Sequence, residues 1–128
     1  MSIDEAVVEQ AIIAIASVDD IYMEPSILAQ DAQMLTLAFD EEEPYKLAVV
    51  NTVKALKSIG KGKVTPTELT GVYKGWFSYH YRSRVAQRAG ANMRIIFAFK
   101  ESSLYVLGFG HRSIPSDIYR RLSQRRLR

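Results

Sequence analysis

MRIIFAFKESSLYVLGFGHRSIPSDIYRRL, residues 93–122, decides the fold. Residues 93–99 and 104–110 are rich in aromatic and β-branched side chains and are separated by the polar residues 100–103. That pattern predicts two antiparallel strands joined by a tight turn. With a period of two, Met93, Ile95, Phe97 and Phe99 share one face of the first strand, and Arg94, Ile96, Ala98 and Lys100 the other. After the second strand comes Gly-His-Arg, then Pro115 ends the extended segment, and Ser116 is expected to cap a short helix holding Ile118, Tyr119 and Leu122. This order brings His111 and at least two arginines, Arg94 and Arg112, beside one sheet edge, in a form suited to stabilising a charged phosphate.

Upstream, residues 75–81 (GWFSYHY) read as a third strand. It is linked to the next by a basic loop, residues 82–92, and the three strands make an antiparallel meander. GKGKVTP, residues 60–66, carries two glycines and a proline that interrupt both helical and strand periodicity, and is a loop within one domain. Before it, Tyr45, Val49, Val53 and Leu56 recur at helical spacing. The acidic run at residues 40–43 and Pro44 suit a helix start, and Gly60 is the stop. Residues 34–39 are expected to form a strand, and residues 27–32 a short helix capped by Ser26. Ser2 and Glu5 fit a capping box, and Val8, Ile12 and Ile15 predict a helix over residues 3–16. The expected fold class is therefore α+β, a small antiparallel sheet packed by helices, with an acidic helical extension at residues 1–33, a core at residues 34–122 and a basic tail at residues 123–128.

The chain has 128 residues, 48% of them hydrophobic, which is enough for one domain with its own core. It contains no cysteine, so neither a disulfide nor a thiolate metal site is available, and two histidines do not make a usual zinc site without carboxylates. No metal or other cofactor is expected. No apolar run approaches the roughly 18 residues of a membrane span, and the acidic start lacks a signal peptide's positive region, so a cytoplasmic protein without a membrane partner is expected. Charge is segregated. Residues 1–60 hold 11 acidic against 3 basic side chains, a net of −8, and residues 61–128 hold 14 basic against 3 acidic, a net of +11. Ten of those cations are arginines, which grip phosphate bidentately, so nucleic acid is the leading partner, against the plainer possibility that they solubilise a face and pair with the acidic half.

Residues 68–71 (ELTG) after a helix, an aromatic strand, the strand opening Met93-Arg94-Ile95-Ile96-Phe97, and Val106-Leu107-Gly108-Phe109-Gly110-His111-Arg112 leading to Tyr119 together resemble the RelE/ParE superfamily of bacterial type II toxins. The resemblance spans roughly residues 34–122 and implies a small antiparallel sheet packed by helices. RelE-like members are ribosome-dependent endoribonucleases that cut mRNA and are silenced by a cognate antitoxin. ParE-like members poison DNA gyrase instead. By motif, Arg94 resembles the arginine opening the penultimate strand, Arg112 the one after the last strand, and Tyr119 the tyrosine of the tail. The chain departs from the family in its N-terminal extension, in its long 82–92 loop, and in having one expected helix after the first strand where a helical hairpin is common. The extension is open to three roles: covering the basic face, bracing the sheet, or forming a homodimer surface.

The resemblance points to a metal-independent endoribonuclease acting on mRNA at the ribosome. Such cleavage needs a base for the 2′-hydroxyl, cations for the phosphorane and an acid for the departing 5′-oxygen. His111, Arg112, Arg94 and Tyr119 are the expected catalytic set. His111 is the first choice for proton transfer because an ordinary histidine titrates near neutrality. The plainer reading makes it a strand-end histidine bonded to backbone. Lys74, Arg82, Arg84, Arg88, Arg120 and Arg121 are the expected RNA-binding cations; His80 and Trp76 are read as packing groups, with stacking on RNA the alternative for His80, and Arg125, Arg126 and Arg128 as a frayed tail, with phosphate contacts the alternative. Two alternatives stay open: a gyrase inhibitor, and a binding module of the same fold without the chemistry.

Overall fold

The computed structural model describes residues 3–84, 90–101, 103–113 and 117–125. In chain order these form α1 (Glu5–Ala16), β1 (Ile21–Tyr22), α2 (Pro25–Ala38), α3 (Glu42–Gly60), β2 (Thr67–Glu68), β3 (Phe77–Tyr81), β4 (Met93–Lys100), β5 (Ser103–His111) and α4 (Ile118–Leu122). A 3-10 turn at Gly71–Tyr73 precedes β3. The sheet runs β1-β5-β4-β3-β2 and is α+β in class. The expected meander is present as β3, β4 and β5, paired antiparallel. At its tight turn Lys100 pairs with Ser103 and Glu101 has φ 51°, the left-handed value that primed hairpin turns need at their first loop residue. The sheet is not wholly antiparallel, because β1 joins β5 in parallel at Ile21 and Tyr22.

The expected strand at residues 34–39 does not form. Residues 34–38 continue α2, a 14-residue helix with Pro25 in its first turn. Leu28, Asp31, Ala32 and Leu35 recur at helical spacing and are all buried, so the helical period overrides the β-compatible composition of the last residues taken alone. The first strand instead lies at Ile21–Tyr22, and α2 and α3 both stand between it and the meander. A boundary at residues 33/34 therefore falls inside α2, and residues 21–33 belong to the sheet and its helical cover. The capping serines expected at Ser2 and Ser116 lie outside the described residues. Asp117 caps α4, its carboxylate accepting from the Tyr119 N–H at 2.9 Å.

Two cores occupy the two faces of the sheet. On one, Met93, Ile95, Phe97, Leu104, Val106 and Phe109 pack with buried residues of α1, α2 and α3. Tyr45 anchors α3 to α2 by donating its hydroxyl to the Ala32 carbonyl at 2.8 Å, and burial pushes its pKa up to about 12. Val8, Ala11 and Ile15 of α1 belong to this same core, so the N-terminal helix braces the helical layer from the side away from Arg94. On the other face, Ile96, Ala98 and Leu107 pack with Trp76 and with Ile118 and Leu122 of α4. Phe99, expected to complete the main apolar row, is 57% exposed.

A bulge joins these two patterns. Phe97 opposes Val106, but Ile96 opposes Gly108, which leaves Leu107 as an extra residue in β5. Even-numbered Leu104 and Val106 face the three helices before it; odd-numbered Phe109 does so after it.

Gly108 is also a point of close approach, since a Cβ there would meet Arg125 Nη1, and would lie 2.8 Å from Ile118 Cδ1 and 3.0 Å from Asp31 Oδ2. Gly108→Ala should therefore destabilise the protein by about 1–3 kcal/mol through overpacking. Urea unfolding checks this, and an unchanged midpoint would show that the tail yields freely.

Candidate functional site

Residues that oppose each other in an antiparallel ladder present their side chains on one face. His80 of β3 opposes Arg94 of β4, and Arg94 opposes Gly110 of β5, which adds no side chain to that row. In the next row Ser78 opposes Ile96, which opposes Gly108. The Ser78 hydroxyl lies 2.8 Å from the Tyr119 hydroxyl of α4. His80, Arg94 and Tyr119 are thereby collected on the face turned away from α1, α2 and α3. Arg112 is exposed just beyond β5, where its N–H donates to the Asn92 carbonyl at 3.1 Å.

His111 is not part of this row. It opposes Met93, whose side chain enters the core under the helices, and its ring meets Phe39 edge-on at 5.9 Å between centroids. Its Nδ1 accepts the Ser113 N–H at 3.0 Å, so a neutral ring carries its proton on Nε2. The histidine with direct access to the Arg94 row is His80, expected as a packing group but exposed. Residues adjacent in a strand point to opposite faces, and His111 opposes Met93, the neighbour of Arg94. Finding His80 requires the β3–β4 register.

Arg94 is 8% exposed and one of its guanidinium nitrogens, Nη1, donates to the carbonyls of Ala91 (3.0 Å) and Met93 (2.9 Å). A charge so held is felt strongly by its neighbours. The His80 pKa lies below the usual histidine value, first through loss of hydration and then through the positive charges of Arg94 and Arg112. His111 is lowered too, first by burial and then by Arg112, with Arg94 contributing less and Ser113 and Asp117 opposing. Both rings are therefore biased toward the neutral, proton-accepting form near pH 7.

The remaining expected cations divide. Lys74, Arg82, Arg84 and Arg120 are exposed. Arg88 lies outside the described residues, as do Arg126 and Arg128. Arg82 and Arg84 flank Ser83, which is tied on three sides: its carbonyl accepts from Asn51 Nδ2 at 2.6 Å, its N–H donates to Asn92 Oδ1 and its hydroxyl accepts from Asn92 Nδ2, both at 2.9 Å. The first arginines of the basic loop thus stand on a fixed base. Arg121 is buried at 7% exposure and bonded to Asp31, so it stands inside the protein and not on the expected RNA surface. Arg125, expected to fray, is bonded to Asp31 as well. Trp76 is packed as expected, with Lys100 Nζ 4.9 Å from its ring centre. Among the described residues no helix is long and apolar enough to cross a membrane. Comparison with family models, curated proteins and solved structures returns no match.

Because Arg112 lowers both imidazoles, removing its charge favours their protonated forms. Arg112→Ala should raise the midpoints of His80 and His111 together. Titration followed by NMR of the two ring resonances checks this; midpoints that stay put would separate Arg112 from the site.

Proposed function

We propose that the protein is a RelE-like toxin, a metal-independent endoribonuclease acting on mRNA at the ribosome, with His80 in the proton-transfer role first considered for His111. The observation that carries this reading is the single row of His80, Arg94 and Gly110, with Arg112 beyond it and Tyr119 one row away. Neutral His80 takes the proton from a 2′-hydroxyl as its oxygen bonds to phosphorus. Arg94 and Arg112 offset the charge gathering on the phosphorane oxygens, as the bond to the 5′-oxygen breaks. The departing 5′-oxygen takes a proton from water, leaving a 2′,3′-cyclic phosphate and a 5′-hydroxyl, while protonated His80 returns its proton to solvent; Tyr119 hydrogen-bonds to that oxygen through its hydroxyl or stacks on the neighbouring base. Arg82, Arg84, Lys74 and Arg120 hold the flanking backbone.

Topology adds support. The family resemblance implies a helical hairpin between the first strand and the rest, and α2 and α3 occupy that position once the first strand is taken at Ile21–Tyr22. A cognate antitoxin carrying acidic groups would silence such a site by masking the same cations, as acidic segments that fold on binding do.

The expected result is cleavage of mRNA in a translation extract, falling by about 10²–10⁴ in His80→Ala, the range for loss of a general acid or base. Arg112→Ala should abolish cleavage and toxicity while leaving cooperative unfolding intact, because the Asn92 contact uses only backbone atoms. His111→Ala should retain activity. Intact transcripts at high dose would overturn this reading, and inhibited supercoiling by DNA gyrase in the same preparation would replace it with a ParE-like one.

A further inference from the structure

Asp31 is fully buried on α2, yet it is a carboxylate, and none of its contacts belongs to the site described above. Its Oδ1 accepts from Arg121 Nε at 3.1 Å, and its Oδ2 from Arg125 Nη1 and from the Phe109 N–H, both at 2.9 Å. Arg125 Nη1 also donates to the Leu107 carbonyl at 3.0 Å, and Arg121 Nη2 to the Phe109 carbonyl at 3.2 Å. β1 pairs with β5 only at Leu104 and Tyr105, so these groups stand where a neighbouring strand would otherwise be. The carboxylate takes one β5 amide, and the two guanidiniums take β5 carbonyls on either side of Gly108.

The same contacts hold the C-terminal helix. α4 has five residues, too few to be stable alone, and its arginine clamp begins two residues after Tyr119. Ile118 and Leu122 give it an apolar footing beside Trp76, but apolar contact is non-directional and does not by itself fix a helix along its axis. The ionic contacts do, because guanidinium and carboxylate meet in defined geometry. We propose that Asp31 is the positioning residue for Tyr119, fixing α4 through Arg121 and Arg125 so that the tyrosine hydroxyl stands at Ser78 beside the His80–Arg94 row. The functional part of this inference rests on the ribonuclease reading; the positional part does not.

Trp76 is the chain's only tryptophan, is 5% exposed, and shares its cluster with Ile118, Leu122 and Tyr119, so its emission reports the seating of α4 directly. Asp31→Asn keeps the shape of the side chain and removes its charge. Its emission is expected to move to the red and to become more accessible to acrylamide, while cooperative unfolding persists. Its kcat for RNA cleavage should drop by about tenfold or more with KM little changed, as for a group lost from the transition state. In the Tyr119→Phe background the same substitution should cost nothing further. Unchanged Trp76 emission, or rate losses that multiply in the double variant, would overturn the proposal. If the wild-type protein cuts no RNA, the ribonuclease reading fails on its own and Trp76 emission still decides the positioning. If Asp31→Asn does not fold, Arg125→Gln leaves Arg121 in place and should give the same red shift, smaller in size; native-like emission there overturns the proposal equally.

Discussion

A buried carboxylate facing two guanidiniums is the constraint on which the rest of this structure depends. Asp31 stands 78 residues from Phe109, 90 from Arg121 and 94 from Arg125, so one side chain ties the helical layer, the last strand and the C-terminal helix together. Such a group is costly to desolvate, and removing one partner from a buried pair typically costs about 3–5 kcal/mol. Here the cost is offset by further hydrogen bonds to β5 backbone that would otherwise lack a partner strand. The fit is not complete: among the described residues Arg125 Nε is buried without a hydrogen-bond partner. A small deficit at one nitrogen is compatible with a cluster that covers a strand edge open to unwanted pairing.

Much of the fold was legible in the sequence, for identifiable reasons. β3, β4 and β5 carry aromatic and β-branched residues in long runs, and helix α3 carries its apolar stripe together with an acidic start. The N-terminal helix was equally visible. What misled was α2, whose last residues read as a strand when separated from Leu28 and Ala32. Asp31 lies between those two on the buried stripe, and an acid at such a position is the signal that was available for the clamp. Its partners were not, since nothing local connects residue 31 to residues 121 and 125. β1 was invisible for the opposite reason: two residues make no period, and only the parallel contact with Leu104 and Tyr105 defines them.

Charge segregation acquires a structural meaning from this arrangement. The acidic half of the sequence supplies α1, α2 and α3, and the basic half supplies the meander and α4. The helical layer therefore carries most of the carboxylates, and the sheet face turned away from it carries Arg94. Asp31 is the exception that crosses the division, and it does so by taking Arg121 and Arg125 out of the exposed cation set. On the open face the His80 pKa is lowered first by loss of hydration and then by the charges of Arg94 and Arg112.

The extra residue Leu107 has a consequence for which side chains are available to a ligand. Had β5 kept strict alternation from Leu104 onward, its even positions would have stayed under the helices to the end of the strand, and His111 would have emerged on the open face. One inserted residue reverses this: Gly110 faces the open row opposite Arg94 without adding a side chain, and the His111 imidazole is folded against Phe39. The chemical character of this surface is thus chosen by a parity change in the backbone, several residues before the side chains it sorts.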